Sequence, residues 1–198
     1  MFEIYTDGAC EPNPGLGGWG FVVYHHGVEV HTACGGEHNT TNNRMEFAGI
    51  LNALLWLDGK TATIHTDSMY CLNALTIWHP KWARNNWRKG PKKTAEPIKN
   101  AEVIQACLAA KQSGHKLKWC KGHSGITGNE RADQLAAMGR STVFKKPAVI
   151  PVSPVQIPNS GRAVLTLKKP SSGYLVDCDC DVLPWEDCEH SIAASDRQ

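Results

Sequence analysis

The chain has 198 residues, 41% of them hydrophobic and 20% charged, with a formal net charge of +2. That length suits one globular domain with a remainder, because domains most often run ~100–150 residues. Its apolar stretches, such as residues 48–57, fall far short of the ~20 residues a membrane span needs. No internal repeat is present, and membrane-spanning, coiled-coil and collagen-like classes are excluded. The amino terminus, MFEIYTDGAC, lacks the basic and greasy regions of a secretory signal, which predicts a cytoplasmic protein.

Residues 2–6 alternate and are rich in β-formers, predicting a strand that Asp7-Gly8 and the run Glu11-Pro12-Asn13-Pro14-Gly15 break. Residues 19–24 and 28–34 predict two more strands joined by a tight turn at His26-Gly27. The period then changes. Phe47, Ile50, Leu51, Leu54 and Leu55 fall at helical spacing within 43–57, and Gly59 stops that helix. Residues 62–66 predict a fourth strand, 68–75 a short helix, 98–111 a longer helix and 115–121 a fifth strand. A loop with Gly122, Gly125 and Gly128 leads into a last helix with Ala132, Leu135, Ala136 and Gly139 on one face. Three antiparallel strands followed by β–α alternation predict an α/β fold: a mixed five-stranded sheet flanked by helices.

After Arg140 the texture changes. Six of the eleven prolines lie in 141–198, four of them between residues 146 and 158. Residues 1–140 are therefore read as the folded domain, and 141–198 as a linker and disordered acidic tail. Charge is also uneven. Residues 1–140 hold fifteen Lys and Arg against twelve Asp and Glu, whereas 141–198 hold six against seven. Residues 81–93 carry six bases and no acid; residues 177–189 carry six acids and no base. A local basic patch of this kind points to a polyanion, and the acidic run is its opposite in sign.

Two predicted strands end alike, in Tyr5-Thr6-Asp7 and His65-Thr66-Asp67. Adjacent strands ending so place two carboxylates at one sheet edge, an unfavourable pairing unless a cation lies between them. Glu46 opens the long helix at the border of its apolar face, and Asp133 lies in the first turns of the last helix. Singly, each acid reads as a turn former or a helix-dipole partner.

Together, Tyr5-Thr6-Asp7-Gly8-Ala9, Thr41-Asn42-Asn43-Arg44-Met45-Glu46, Thr66-Asp67-Ser68, Gly122-His123-Ser124-Gly125 and Gly128-Asn129-Glu130-Arg131-Ala132-Asp133 resemble the ribonuclease H type 1 family. The strings occur in the family's order and spacing across residues 1–140. The resemblance implies a ribonuclease H-like fold and an endoribonuclease that hydrolyses the RNA strand of RNA–DNA hybrids, leaving 5′-phosphate and 3′-hydroxyl ends. It implies that Asp7, Glu46, Asp67 and Asp133 bind two divalent ions, and all-carboxylate ligation suits Mg²⁺ or Mn²⁺ rather than zinc. His123 corresponds to the family's mobile catalytic-loop histidine. Two rivals stand beside this reading: a DNA nuclease of the same fold, and a non-catalytic hybrid-binding protein.

Telling RNA from DNA needs contacts to the 2′-hydroxyl. The loop around Cys10 and Asn13 can bring backbone and an amide to a ribose; Asn42 can do likewise, and Thr41 can hold a phosphate. The same residue types also suit ordinary turns and caps. One departure is Met69, where many bacterial members carry Gln. The stretch 78–89 interleaves bases with tryptophans and resembles the family's basic handle. Lys81, Arg84, Arg88 and Lys89 are its expected charged contacts, with Trp78 or Trp82 in the DNA-strand groove. The expected species is a monomer whose partner is the hybrid. In the tail, Cys178, Cys180, Cys188 and His190 offer a candidate zinc set, although only one residue separates each pair of ligands where structural sites use two to four.

Overall fold

The structure is a computed structural model that describes residues 1–90 and 94–144. Strands β1 (Phe2–Cys10), β2 (Gly15–His25) and β3 (Val28–Thr40) form an antiparallel meander. His26 and Gly27 link β2 to β3 with φ of 53° and 79°, the left-handed pair that a two-residue hairpin turn demands. Helix α1 (Asn42–Leu57) follows. Thr41 stays extended before it and accepts the Arg44 backbone N–H, so the threonine caps the helix start. Strand β4 (Ala62–Thr66) then pairs parallel to β1.

Helix α2 (Met69–Asn73), a π-helical turn (Ala74–Trp78) and helix α3 (His79–Arg84) run on without a break. The short strands β5 (Arg88–Lys89) and β6 (Glu96–Pro97) pair with each other, and α4 (Ala101–Ala110) leads to β7 (His115–Trp119), parallel to β4. Helix α5 (Thr127–Phe144) ends the described chain, running past residue 140. The main sheet has the order β3-β2-β1-β4-β7, the mixed five-stranded arrangement expected from the sequence.

Each face of the sheet has its own core. Ile4, Phe21 and Ile64 from the strands meet Phe47, Ile50 and Leu54 of α1 and Ile104 of α4 on one side. Val22 and Cys34 meet Ala132 and Leu135 of α5 on the other. Burying such side chains stabilises the fold by about 1.5–3 kcal/mol each.

Three expectations need correction. Strand β1 does not stop at Asp7-Gly8 but continues to Cys10, with Gly8 opposite Trp19 on β2. Gly8 serves close packing there rather than a turn: a Cβ on it would lie 2.1 Å from the Glu46 backbone nitrogen. Leu55 is 60% exposed, because the buried stripe of α1 runs instead through Phe47, Ile50, Ala53, Leu54 and Leu57. The short helix expected over 68–75 does not stop there: the chain stays helical as far as Arg84, with Pro80 in the first turn of α3, where proline needs no N–H partner.

Candidate active site

Strand register builds the site. Thr6 pairs with Thr66 across the parallel β1–β4 ladder, so Asp7 and Asp67 are the next residues along two neighbouring strands. Gly8 lets α1 descend onto β1, which carries Glu46 to the same place. Ligand oxygens of Asp7, Glu46 and Asp67 lie within 4.8 Å of one another. Asp7 and Glu46 are buried, only 8% and 5% exposed.

Crowding of like charge out of water has the expected electrostatic result. Asp7 is pushed up to about 7, first by burial and then by the Asp67 charge; the Gly8 amide, 2.8 Å from Asp7 Oδ1, pulls the other way. Asp133, on α5, adds to the rise through its charge and by accepting a hydrogen bond from the Asp7 carboxyl. It thus flanks the trio from α5. Glu46 is held well above the ordinary carboxylate range by burial, then by Asp7 and Asp67. Its Oε2 is buried without a hydrogen-bond partner. An orphaned buried carboxylate oxygen facing two further carboxylates fits a hard divalent cation, which would satisfy all three at once.

Residues that support Asp67 were not singled out by sequence reasoning. Asn129, 1% exposed, donates its amide to Asp67 Oδ2 at 3.4 Å and accepts the Cys120 thiol at 3.3 Å. Trp119 Nε1 donates to the Asp67 carbonyl at 3.0 Å. The signal for Asn129 was its spacing: it precedes Asp133 by four, so one face of α5 presents both. His123 is exposed, at φ 48°. The neighbouring Gly122 backbone lies so close to Asp67 that a Cβ there would come within 2.5 Å of Oδ2. The histidine is therefore one residue from the acidic cluster.

The predicted substrate contacts fall in two places. Asn13 Oδ1 accepts the Asn42 backbone N–H at 3.3 Å, which draws the loop after β1 to the start of α1. The Cys10 thiol donates to the carbonyls of Pro12 and Thr40, both at 3.3 Å. Thr41 Oγ1 accepts the Arg44 N–H at 3.4 Å. Arg44 itself spans Glu37 of β3 and Glu102 of α4.

The second place is a cleft of about 800 Å³ lined by Ile77, Trp78, Lys81, Trp82, Arg88 and Lys89, among others. Arg84 is exposed and lies outside that lining. Arg88 is partly committed, since its Nε and Nη2 donate to the Ala95 carbonyl at 3.1 and 2.5 Å. The tryptophans also anchor the protrusion. Ring centroids step from Phe47 to Tyr70 (5.8 Å), Trp78 (5.7 Å), Trp82 (5.6 Å) and Trp87 (6.4 Å), a ladder from the core outward. The candidate zinc set of Cys178, Cys180, Cys188 and His190 lies outside the described residues. Among the described residues, Cys10, Cys71, Cys107 and Cys120 are thiols outside any disulfide.

Known proteins match this arrangement. The family model for RNase H covers residues 1–141. Ribonuclease H of Bordetella avium is 44% identical over 148 residues, covering 73% of this chain and 94% of that protein. Ribonuclease H of Rhizobium johnstonii is 45% identical over 150 residues, covering 74% and 96%. Among solved structures, LC9-RNase H1, a type 1 RNase H with the type 2 active-site motif, superposes with a TM-score of 0.62 at 26% identity. That match covers 71% of this chain and 72% of the other. Similarity runs through every element that delivers an acid to the cluster, from β1 to α5, and on it the chain belongs to the ribonuclease H family.

Proposed function

We propose that this chain is an endoribonuclease that hydrolyses the RNA strand of RNA–DNA hybrids, leaving 5′-phosphate and 3′-hydroxyl ends. The observation that carries the reading is the Asp7–Glu46–Asp67 cluster with its unpartnered Glu46 oxygen, in a chain of this family. Asp7, Glu46, Asp67 and Asp133 would hold two divalent ions, Mg²⁺ with Mn²⁺ as the alternative, because hard oxygen ligands select such cations. When bound, the ions supply activation of a water and neutralisation of charge on the leaving oxygen at phosphorus.

The chain's own residues set the rest. Asp7 and Glu46 release their protons as the cation enters, since their raised affinity for protons comes from burial and mutual repulsion. Asn129 fixes the orientation of the Asp67 carboxylate from behind. His123, exposed beside Gly122, passes a proton to or from water as products leave. Cys10, Asn13 and Asn42 face the minor groove, where the ribose 2′-hydroxyl separates RNA from DNA, and Thr41 holds a phosphate of the DNA strand. Lys81, Arg88 and Lys89 neutralise phosphates along the cleft, with Arg84 on its outer side and Trp78 and Trp82 against the sugars. The protein would act as a monomer in the cytoplasm.

Cleavage of end-labelled RNA–DNA, RNA–RNA and DNA–DNA duplexes with Mg²⁺, alongside Asp67→Asn, tests the proposal. Cutting confined to the hybrid and lost in the variant is the expected result. Binding without cutting in either metal would replace it with a non-catalytic hybrid-binding role, and cutting of DNA–DNA duplex with a same-fold DNA nuclease.

A further inference from the structure

The handle cleft presents two kinds of surface at once. Trp78 and Trp82 form an apolar wall with Ile77, which is 64% exposed, while Lys81, Arg88 and Lys89 supply positive charge around it. Apolar side chains left in water beside cations match a ligand that is both anionic and apolar. The chain contains such a segment beyond the described residues. Residues 177–189 carry Asp177, Asp179, Asp181, Glu186, Asp187 and Glu189 without a Lys or Arg, with Leu183 and Trp185 among the acids.

We infer that residues 177–189 dock in cis on the handle cleft, their acids against Lys81 and Lys89 and Trp185 against Trp78 and Trp82, and so compete with nucleic acid. The competition rests on the reading of the cleft as the hybrid's grip; the docking does not. Reach permits it. Thirty-two residues separate Phe144 from Asp177, and a linker of that length spans about 30 Å root-mean-square on chain statistics. A folded domain of this size has a radius of gyration of about 14 Å. The linker's typical span therefore matches the body it must cross. A tether so matched gives an effective concentration in the millimolar range. With an intrinsic dissociation constant on the order of 0.1 mM, the segment fills the cleft about nine-tenths of the time and weakens hybrid binding about tenfold. Six acids against a few exposed cations make the effect fade as salt rises.

The test uses the full chain and two full-length variants. One carries Asp177→Asn, Asp179→Asn, Asp181→Asn, Glu186→Gln, Asp187→Asn and Glu189→Gln together; the other carries Trp185→Ala alone, which keeps every charge. Zero-length carbodiimide crosslinking without nucleic acid reads the docking, and binding of labelled hybrid in EDTA reads the competition. Expected are monomer crosslinks from Lys81 or Lys89 to acids in 177–189 at low salt, absent at high salt. Hybrid binding should tighten about tenfold in the first variant and severalfold in Trp185→Ala, at low salt only. The proposal is overturned if no such crosslink forms, if it forms only between two copies, or if Trp185→Ala binds hybrid like the parent chain. Crosslinks in a protein that never binds hybrid would leave the docking standing and remove the hybrid-grip reading.

Discussion

Replacing Asp7 by Asn should stabilise the metal-free protein while abolishing turnover, and the gain should depend on pH. Asp7 has a pKa of about 7 in the fold against an ordinary 3.8. At about 1.36 kcal/mol per pH unit, that gap makes the ionised carboxylate destabilising by about 4 kcal/mol, a ceiling for the variant's gain. The sign follows from proton counts. Between pH 3.8 and 7 the folded state holds a proton that the unfolded chain has released, so stability falls as pH rises through that window. Above pH 7 the full penalty is present; at pH 4.5 only about 1 kcal/mol of it remains. The amide is isosteric, and its oxygen can still accept the Gly8 N–H that Asp7 now accepts. For a domain of this size each kcal/mol moves the melting temperature by about 2–4 °C. Thermal melts at pH 8.5 and 4.5, in EDTA and in Mg²⁺, read the effect. Asp7→Asn should melt higher by up to about 8–16 °C at pH 8.5 in EDTA, with most of the gap gone at pH 4.5. Mg²⁺ should raise the parent chain and leave the variant nearly unmoved. A variant no more stable than the parent at pH 8.5, or a gap equal at both pH values, would refute the reasoning.

Asn129→Ala leaves the Asp67 carboxylate unsupported, so metal affinity and kcat should each fall about 10–100-fold; calorimetric Mg²⁺ titration and initial rates check it, and unchanged affinity would contradict it. In the chain whose 177–189 acids are neutralised, Lys81→Ala with Lys89→Ala should flatten the log–log salt dependence of hybrid binding by about 1.5–2, the loss expected for two phosphate contacts. Binding measured from 50 to 300 mM salt gives that slope directly, and an unaltered slope would take the cleft out of phosphate recognition. Gly8→Ala places a methyl 2.1 Å from the Glu46 nitrogen and should cost about 1–3 kcal/mol or more as α1 is pushed off β1. Urea denaturation measures it, and a midpoint equal to the parent's would mean that α1 moves freely.

Much of the fold was legible because its elements obey single periods. Phe47, Ile50 and Leu54 announce α1 at helical spacing, and their burial follows. The convergence of Asp7 and Asp67 was legible for a similar reason: two strands with the same Thr-Asp ending align when they pair parallel. Asp7-Gly8 misled because the dipeptide is a turn former in isolation, whereas here Gly8 answers to the approach of a distant helix. The helical course of 76–84 was missed because Pro80 and the interleaved bases read as a break, although Leu75, Trp78 and Trp82 keep the helical spacing i, i+3, i+7. Asn129 at the start of α5 reads locally as an ordinary helix-start residue. Its spacing of four from Asp133 puts it on that acid's face of α5, but its contact with Asp67, 62 residues away in sequence, comes from the fold.

The parallel pairing of β1 with β4 has a kinetic consequence. Asp7 and Asp67 meet only after the intervening fifty-nine residues have been looped and the β1–β4 ladder has closed. Such long-range parallel pairing forms late, because loop closure must precede the contacts that reward it. Until that step no chelating cluster exists, so an ion has nothing to hold in the early ensemble. Divalent metal should therefore act almost wholly on the unfolding limb, lengthening the native lifetime while refolding proceeds at its metal-free rate.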